Sequence, residues 1–103
     1  MPESSVFGAL SDPTRRTIVD WLAVEESGTA TGFADRLPMS RQAVARHLLE
    51  LEKAGIVVPR RSGRETRFSL RVEPLSDAAD WLVSRANLWD RSLGRLKRQL
   101  ESD

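Results

Sequence analysis

The 103-residue chain contains no cysteine, no tyrosine and a single histidine, His47. Without cysteine there are neither disulfides nor thiolate metal ligands. A lack of disulfides suits a reducing cytosol. Catalysis would have to rest on Ser, Lys or carboxylates, and no nucleophile elbow, P-loop or dinucleotide fingerprint occurs. Enzyme activity is therefore not expected. No apolar run approaches the roughly 20 residues needed to cross a bilayer. The N-terminus, MPESSVFGALSD, has no basic region followed by a long apolar one, so it does not read as a secretory signal. Repeats, low-complexity tracts and linkers are missing too. The expectation is one cytoplasmic domain spanning 1–103, with no cofactor and no membrane partner.

Charge is present, but unevenly spread. Between Ser40 and Arg71 lie eight Lys/Arg and three acids, a net +5, while the remaining residues, eight basic and twelve acidic, sum to −4. The whole-chain value of +1 hides this split. Positive charge concentrated on one segment is the electrostatic footprint of a nucleic-acid reader.

Helical periodicity dominates the pattern. Val6, Phe7 and Leu10 predict a short first helix, ending before Ser11. Asp12 caps the second and Pro13 fits its first position. Ile18, Trp21 and Leu22 form its inner side, with Arg15 and Arg16 on the wet side. The polar stretch Glu25 to Thr31 reads as a loop. Phe33, Ala34 and Leu37 make a brief third helix, stopped at Leu37 by Pro38. Ser40 caps the fourth, where Val44, Leu48 and Leu51 form one apolar stripe, and Gly55 ends it. Two short strands follow, near Ile56 to Arg60 and Thr66 to Arg71, with Ser62-Gly63 as the turn. Pro59 marks the first as an edge. Pro74 opens a long last helix, 74–101. The predicted fold class is mainly α with a small β-hairpin: about five helices carrying a wing.

A brief helix, a tight turn and a second helix form a helix-turn-helix, whose second helix lies in the DNA major groove. Arg41, Gln42, Ala45 and Arg46 occupy the face opposite the apolar stripe. Arg can donate two bonds to guanine, and Gln can pair with adenine. Ser40 is placed to touch a phosphate. On the hairpin, Arg61 and Arg64 flank the tip. Arg60 and Arg67 complete its basic set, although strand alternation can turn one toward the body. The expected partner is double-stranded DNA. A single arginine among these would read more simply as a solvated surface charge; the constellation carries the argument. His47, without metal-binding neighbours in the sequence, reads as a packing or hydrogen-bonding residue.

Along the last helix Leu75, Ala79, Leu82, Ala86, Trp89, Leu93, Leu96 and Leu100 follow alternating spacings of four and three, a heptad seam. Such a helix runs about 40 Å at 1.5 Å per residue, whereas a compact chain of this size has a radius of gyration of about 13 Å. Its first part, Leu75 to Leu82, should cover the protein's own core. The distal part needs a second copy of the chain. Trp81 and Leu88 lie beside the seam, within reach of Phe7 and Leu10.

The segments FGALSDPTRRTIVDWL, FADRLPMSRQAVARHLLELEKAGIV and RRSGRETRFSL resemble the ArsR/SmtB family of bacterial winged helix-turn-helix repressors. The resemblance spans about Val6 to Leu70 and, in helical layout, the rest of the chain. It implies a homodimer joined through the first and last helices, with Phe7, Leu10, Leu82, Ala86, Trp89, Leu93 and Leu96 in the interface. It also implies a nucleoid-associated autorepressor of a partly palindromic operator, released by an effector that the residues do not identify. Two departures stand out: Pro38 where the family often has Gly, and Ala45 where many members have Ser. The family's metal sites are not matched. The third helix, GFADRL, offers no thiolate, and the last offers Asp77, Asp80 and Asp90 but no histidine. The resemblance is thus to the cysteine-less branch without a metal-sensing site. The alternatives are a winged-helix module that binds protein partners, and a sensor repressor answering to a small molecule.

Overall fold

A computed structural model describes residues 2–102, with side chains from 5 to 102. Five helices and one hairpin follow in order: α1 (Pro2–Ala9), α2 (Pro13–Glu25), α3 (Ala30–Ala34), α4 (Arg41–Lys53), β1 (Val57–Ser62), β2 (Glu65–Leu70) and α5 (Val72–Glu101). Three helices begin at side-chain caps of the kind that satisfies orphan N–H groups. Asp12 accepts from the N–H of Arg15, Thr29 from that of Gly32 and Ser40 from that of Ala43.

One contiguous core joins α1, α2, α3, α4 and the base of the hairpin. Ile18, Val44, Leu48, Leu51 and Ile56 are fully excluded from solvent, and Val6, Leu22, Phe33 and Val57 nearly so. The α4 stripe Val44–Leu48–Leu51 is the inner face its spacing predicts. Trp21 is only half-buried: it stacks on Phe33, centroids 5.8 Å apart, while the Arg36 guanidinium covers its ring at 3.8 Å.

Several boundaries differ from the sequence reading. The stretch 25–31 is not a plain loop. α2 runs to Glu25, Glu26 takes φ 74°, and Gly28 pairs with Phe68 through both backbone bonds (3.0 and 2.8 Å). This bridge adds a one-residue third strand beside β2. α3 begins at Ala30 and stops at Ala34 rather than Leu37, because the N–H groups of Arg36 and Leu37 reach back only three residues, to Phe33 and Ala34. Pro38 disfavours helical backbone at Leu37, and the chain tightens before reaching it.

The hairpin is shifted by one residue. β1 and β2 pair from Val57↔Leu70 to Ser62↔Glu65, so the turn is Gly63-Arg64, not Ser62-Gly63. Gly63 has φ 61°, the conformation a two-residue hairpin loop of this kind demands at its first position. α5 starts at Val72, two residues before Pro74, which sits within its first turn where no N–H is needed.

Leu75 to Leu82 do not all cover the core. Leu75 is half-buried and Ala78 buried, but Ala79 is exposed and Leu82 is 51% exposed. α5 leaves the body after Trp81, and the molecule extends to 70 Å with a radius of gyration of 18.7 Å. Beyond that point Trp89, Leu93, Leu96 and Leu100 are 67, 44, 53 and 68% exposed. No helix among the described residues is long and apolar enough to cross a membrane.

Candidate nucleic-acid interface

α3, the 35–40 turn and α4 form the helix-turn-helix. Because Val44, Leu48 and Leu51 face inward, the 3.6-residue period turns Gln42, Ala45 and Arg46 away from the core. Arg41 is in line with Leu48 but stands at the first residue of the helix, and all four are exposed. Ser40 is exposed at the helix start, its Oγ 3.1 Å from the Ala43 nitrogen.

Register sorts the hairpin arginines. Arg60 pairs with Arg67 and Arg61 with Thr66, so the two pairs lie on opposite faces. The face with Arg61 and Thr66 continues from Val57, Phe68 and Leu70 at the hairpin's base and turns toward α4. Between it and α4 lies a groove of about 600 Å³, walled by Arg41 and Ala45 on one side and by Arg61, Arg64 and Thr66 on the other. Thr29 and Thr31 close one end. The structure thus brings Arg41, Ala45, Arg61 and Arg64 together, with Gln42 and Arg46 on the outer side of the same helix.

Arg60 and Arg67 lie on the far face, beside Ser27 and Val58. Arg67 donates from Nε to Ser27 Oγ at 3.1 Å and from a terminal nitrogen approaches Glu65 Oε2 at 3.5 Å. Sequence reasoning missed the groove threonines, since Thr29, Thr31 and Thr66 come together only through the Gly28–Phe68 bridge. It also misplaced Arg15. That residue is half-buried, donating from Nε to the Ala9 carbonyl at 2.6 Å and from Nη1 to His47 Nδ1 at 3.3 Å. Arg16 is exposed but donates to the Leu10 carbonyl at 2.8 Å.

Asp12 sits under this cluster. The Arg15 backbone N–H donating to Oδ1 is the main cause holding the Asp12 carboxyl below its usual range; partial burial opposes it, and His47, the Thr14 N–H and the Arg15 charge add to it.

A helix-turn-helix domain family matches residues 10–60, covering the whole two-helix unit and the start of the hairpin. The transcriptional repressor SdpR of Bacillus subtilis is 33% identical over 90 residues, spanning 87% of this chain and 99% of that protein. The chain belongs to the ArsR family of winged helix-turn-helix regulators. An ArsR-like transcriptional regulator from Rhodococcus sp. RHA1 superposes with a TM-score of 0.81 at 39% identity, over 94% of this chain and 91% of that one. The HTH-type transcriptional regulator Rv2034 of Mycobacterium tuberculosis is 36% identical over 96 residues, 92% of this chain and 85% of that protein. This ArsR-family protein is accordingly a transcriptional regulator with a helix-turn-helix DNA-binding domain. The groove between α4 and the wing is lined by the cationic side chains of Arg41, Arg61 and Arg64, with Glu65 as its one acid.

Proposed function

We propose that this regulator is a homodimeric repressor that reads a partly palindromic operator, its own promoter included, without a metal-sensing site. The observation that carries the reading is the pairing of two unpartnered surfaces in one small chain: a cationic groove and an apolar seam. Arg41, Gln42, Ala45 and Arg46 read base edges, Arg by two bonds to guanine and Gln to adenine. Ser40, Arg61 and Arg64 hold phosphates and fix register. Arg60 and Arg67 belong to the outer flank of the wing.

The exposed seam of α5 at Leu82, Ala86, Trp89, Leu93 and Leu96 is the dimer surface, joined by Phe7 and Leu10 of α1. Residues 74–101 act as the dimerisation helix of the domain. A two-fold pair sets the recognition helices about one DNA turn, ~34 Å, apart. The chemistry of the donors supports metal independence: there is no thiolate, and the one imidazole is engaged by Arg15.

The test is fluorescence-anisotropy binding to the duplex upstream of this reading frame, against a shuffled duplex, across salt, with and without zinc. Tight, salt-steep binding that prefers the native duplex and ignores zinc is expected. Equal weak binding to both duplexes would turn attention to a protein partner for the basic face.

A further inference from the structure

The apolar stripe of α4 selects the face that the helix buries, but hydrophobic contact is non-directional and leaves the fine setting of its roll to directional contacts. A directional link exists on its flank. Arg15, from the first turn of α2, donates Nε–H to the Ala9 carbonyl at 2.6 Å and lies 3.5 Å from that of Gly8, both at the C-terminal end of α1. Its Nη1 reaches across to Nδ1 of His47 on α4 at 3.3 Å. A guanidinium can only donate, so in this contact Nδ1 serves as the acceptor. The His47 side chain is 22% exposed, and its Nδ1 lies 4.0 Å from Asp12 Oδ1, beyond a hydrogen bond.

These contacts form a continuous path. α5 holds α1 through Trp81 and Phe7, ring centroids 5.7 Å apart. α1 ends on the Arg15 guanidinium, and that guanidinium holds the ring of His47. Consecutive residues of a helix point about 100° apart, so fixing His47 sets the azimuth of Arg46 beside it and of Gln42 one turn earlier.

We propose that Arg15 and His47 are positioning residues for DNA reading: they lock the roll of the recognition helix to the α1–α5 scaffold, and thereby set the half-site spacing that a dimer accepts. The inference rests on the homodimeric reading above. Its distinguishing consequence concerns spacing and not affinity alone, since a mere loss of packing would weaken binding to every duplex alike.

The probe is the tightest palindromic duplex that the wild-type protein selects from a random library, remade with its centre lengthened or shortened by single base pairs. A duplex carrying one half-site serves as reference. Wild type should prefer one spacing by about tenfold or more, the scale of a misplaced specific contact. His47→Leu and Arg15→Met should flatten that preference to about threefold or less. They should weaken the single half-site less than the optimally spaced duplex, because one half-site can select the roll it needs whereas two at fixed spacing cannot. His47→Asn, which returns an acceptor oxygen close to the place of Nδ1, should restore it. Thermal melting and solution mass establish that each variant is folded and dimeric; if Arg15→Met does not fold, the His47 pair carries the comparison. Undiminished spacing preference in His47→Leu, or an equal loss on all duplexes that His47→Asn does not repair, overturns the proposal. A wild-type protein indifferent to spacing would instead sink the dimeric reading beneath it.

Discussion

Phe7 of α1 meets Trp81 of α5 with ring centroids 5.7 Å apart and planes inclined by 58°. Among the described residues, this tilted aromatic pair marks the point where the body's hold on α5 ends. Arg85 covers the indole from the next turn at 4.6 Å, and from there the helix runs clear of its own domain.

Leu93 and Leu96 lie on the free part of α5, 44 and 53% exposed in the single chain. Replacing either by Asp should leave the fold and helix content intact but separate the dimer, because a carboxylate would have to be desolvated in an apolar contact. A loss of about 2 kcal/mol or more is the scale of a central interface residue. Sedimentation equilibrium measures it; an unchanged dimer mass for both variants would remove α5 from the interface.

Arg61 and Arg41 face the same groove but should differ in effect. Arg61→Ala should weaken binding to all duplexes alike and lower the salt slope by about 0.9 for each phosphate it no longer neutralises. Arg41→Ala should relax preference at one base pair, costing about 1–3 kcal/mol on the preferred sequence. Salt titrations on a panel of single-substitution duplexes separate the two roles.

Gly28 has no room for a side chain. A Cβ built there would collide with the tip of the buried Phe33 ring, at Cζ and both Cε atoms. Gly28→Ala should therefore displace Phe33 or break the Gly28–Phe68 bridge, costing about 1–3 kcal/mol as overpacking does. Urea denaturation provides the number. Gly8→Ala, where an added Cβ meets nothing within 4 Å, is the control.

Asp12 caps α2 and its carboxyl titrates below the usual range, chiefly because it accepts the Arg15 N–H. A depressed carboxylate stabilises the fold at pH values above its unfolded-state pKa of about 3.9. That contribution fades as pH falls through the lower, folded-state value. Asp12→Asn keeps a capping oxygen without the charge, so its deficit relative to wild type should be present at neutral pH and vanish once the pH has fallen below the lowered folded-state value. Asp12→Ala should cost about 1 kcal/mol more broadly, as a lost cap does. Parallel thermal melts from about pH 2.5 to 7 follow both; a deficit for Asp12→Asn that grows toward low pH would contradict the assignment.

Much of this protein is determined by local sequence. Asp12, Ser40 and Gly55 mark helix ends because caps and left-handed residues are short-range chemistry. Val44, Leu48 and Leu51 select the inner face of α4, so its outer face with Gln42, Ala45 and Arg46 follows at once, while Arg41, in line with Leu48, is exposed at the first turn. The seam from Leu82 to Leu100 is equally legible, since heptad spacing is a property of one helix. Tertiary structure alone decided the rest. The hairpin's register, hence the separation of Arg61 from Arg60 and Arg67, depends on which residue closes the turn, and a shift of one residue moves every side chain to the other face. Thr29, Thr31 and Thr66 share a groove only because Gly28 pairs with Phe68, forty residues away in sequence. Arg15 looks like a wet-side charge by periodicity, yet the carbonyl end of α1 and the His47 ring converge on it. Such contacts join groups distant in the chain, and their geometry is set by how the core packs, which no local pattern encodes.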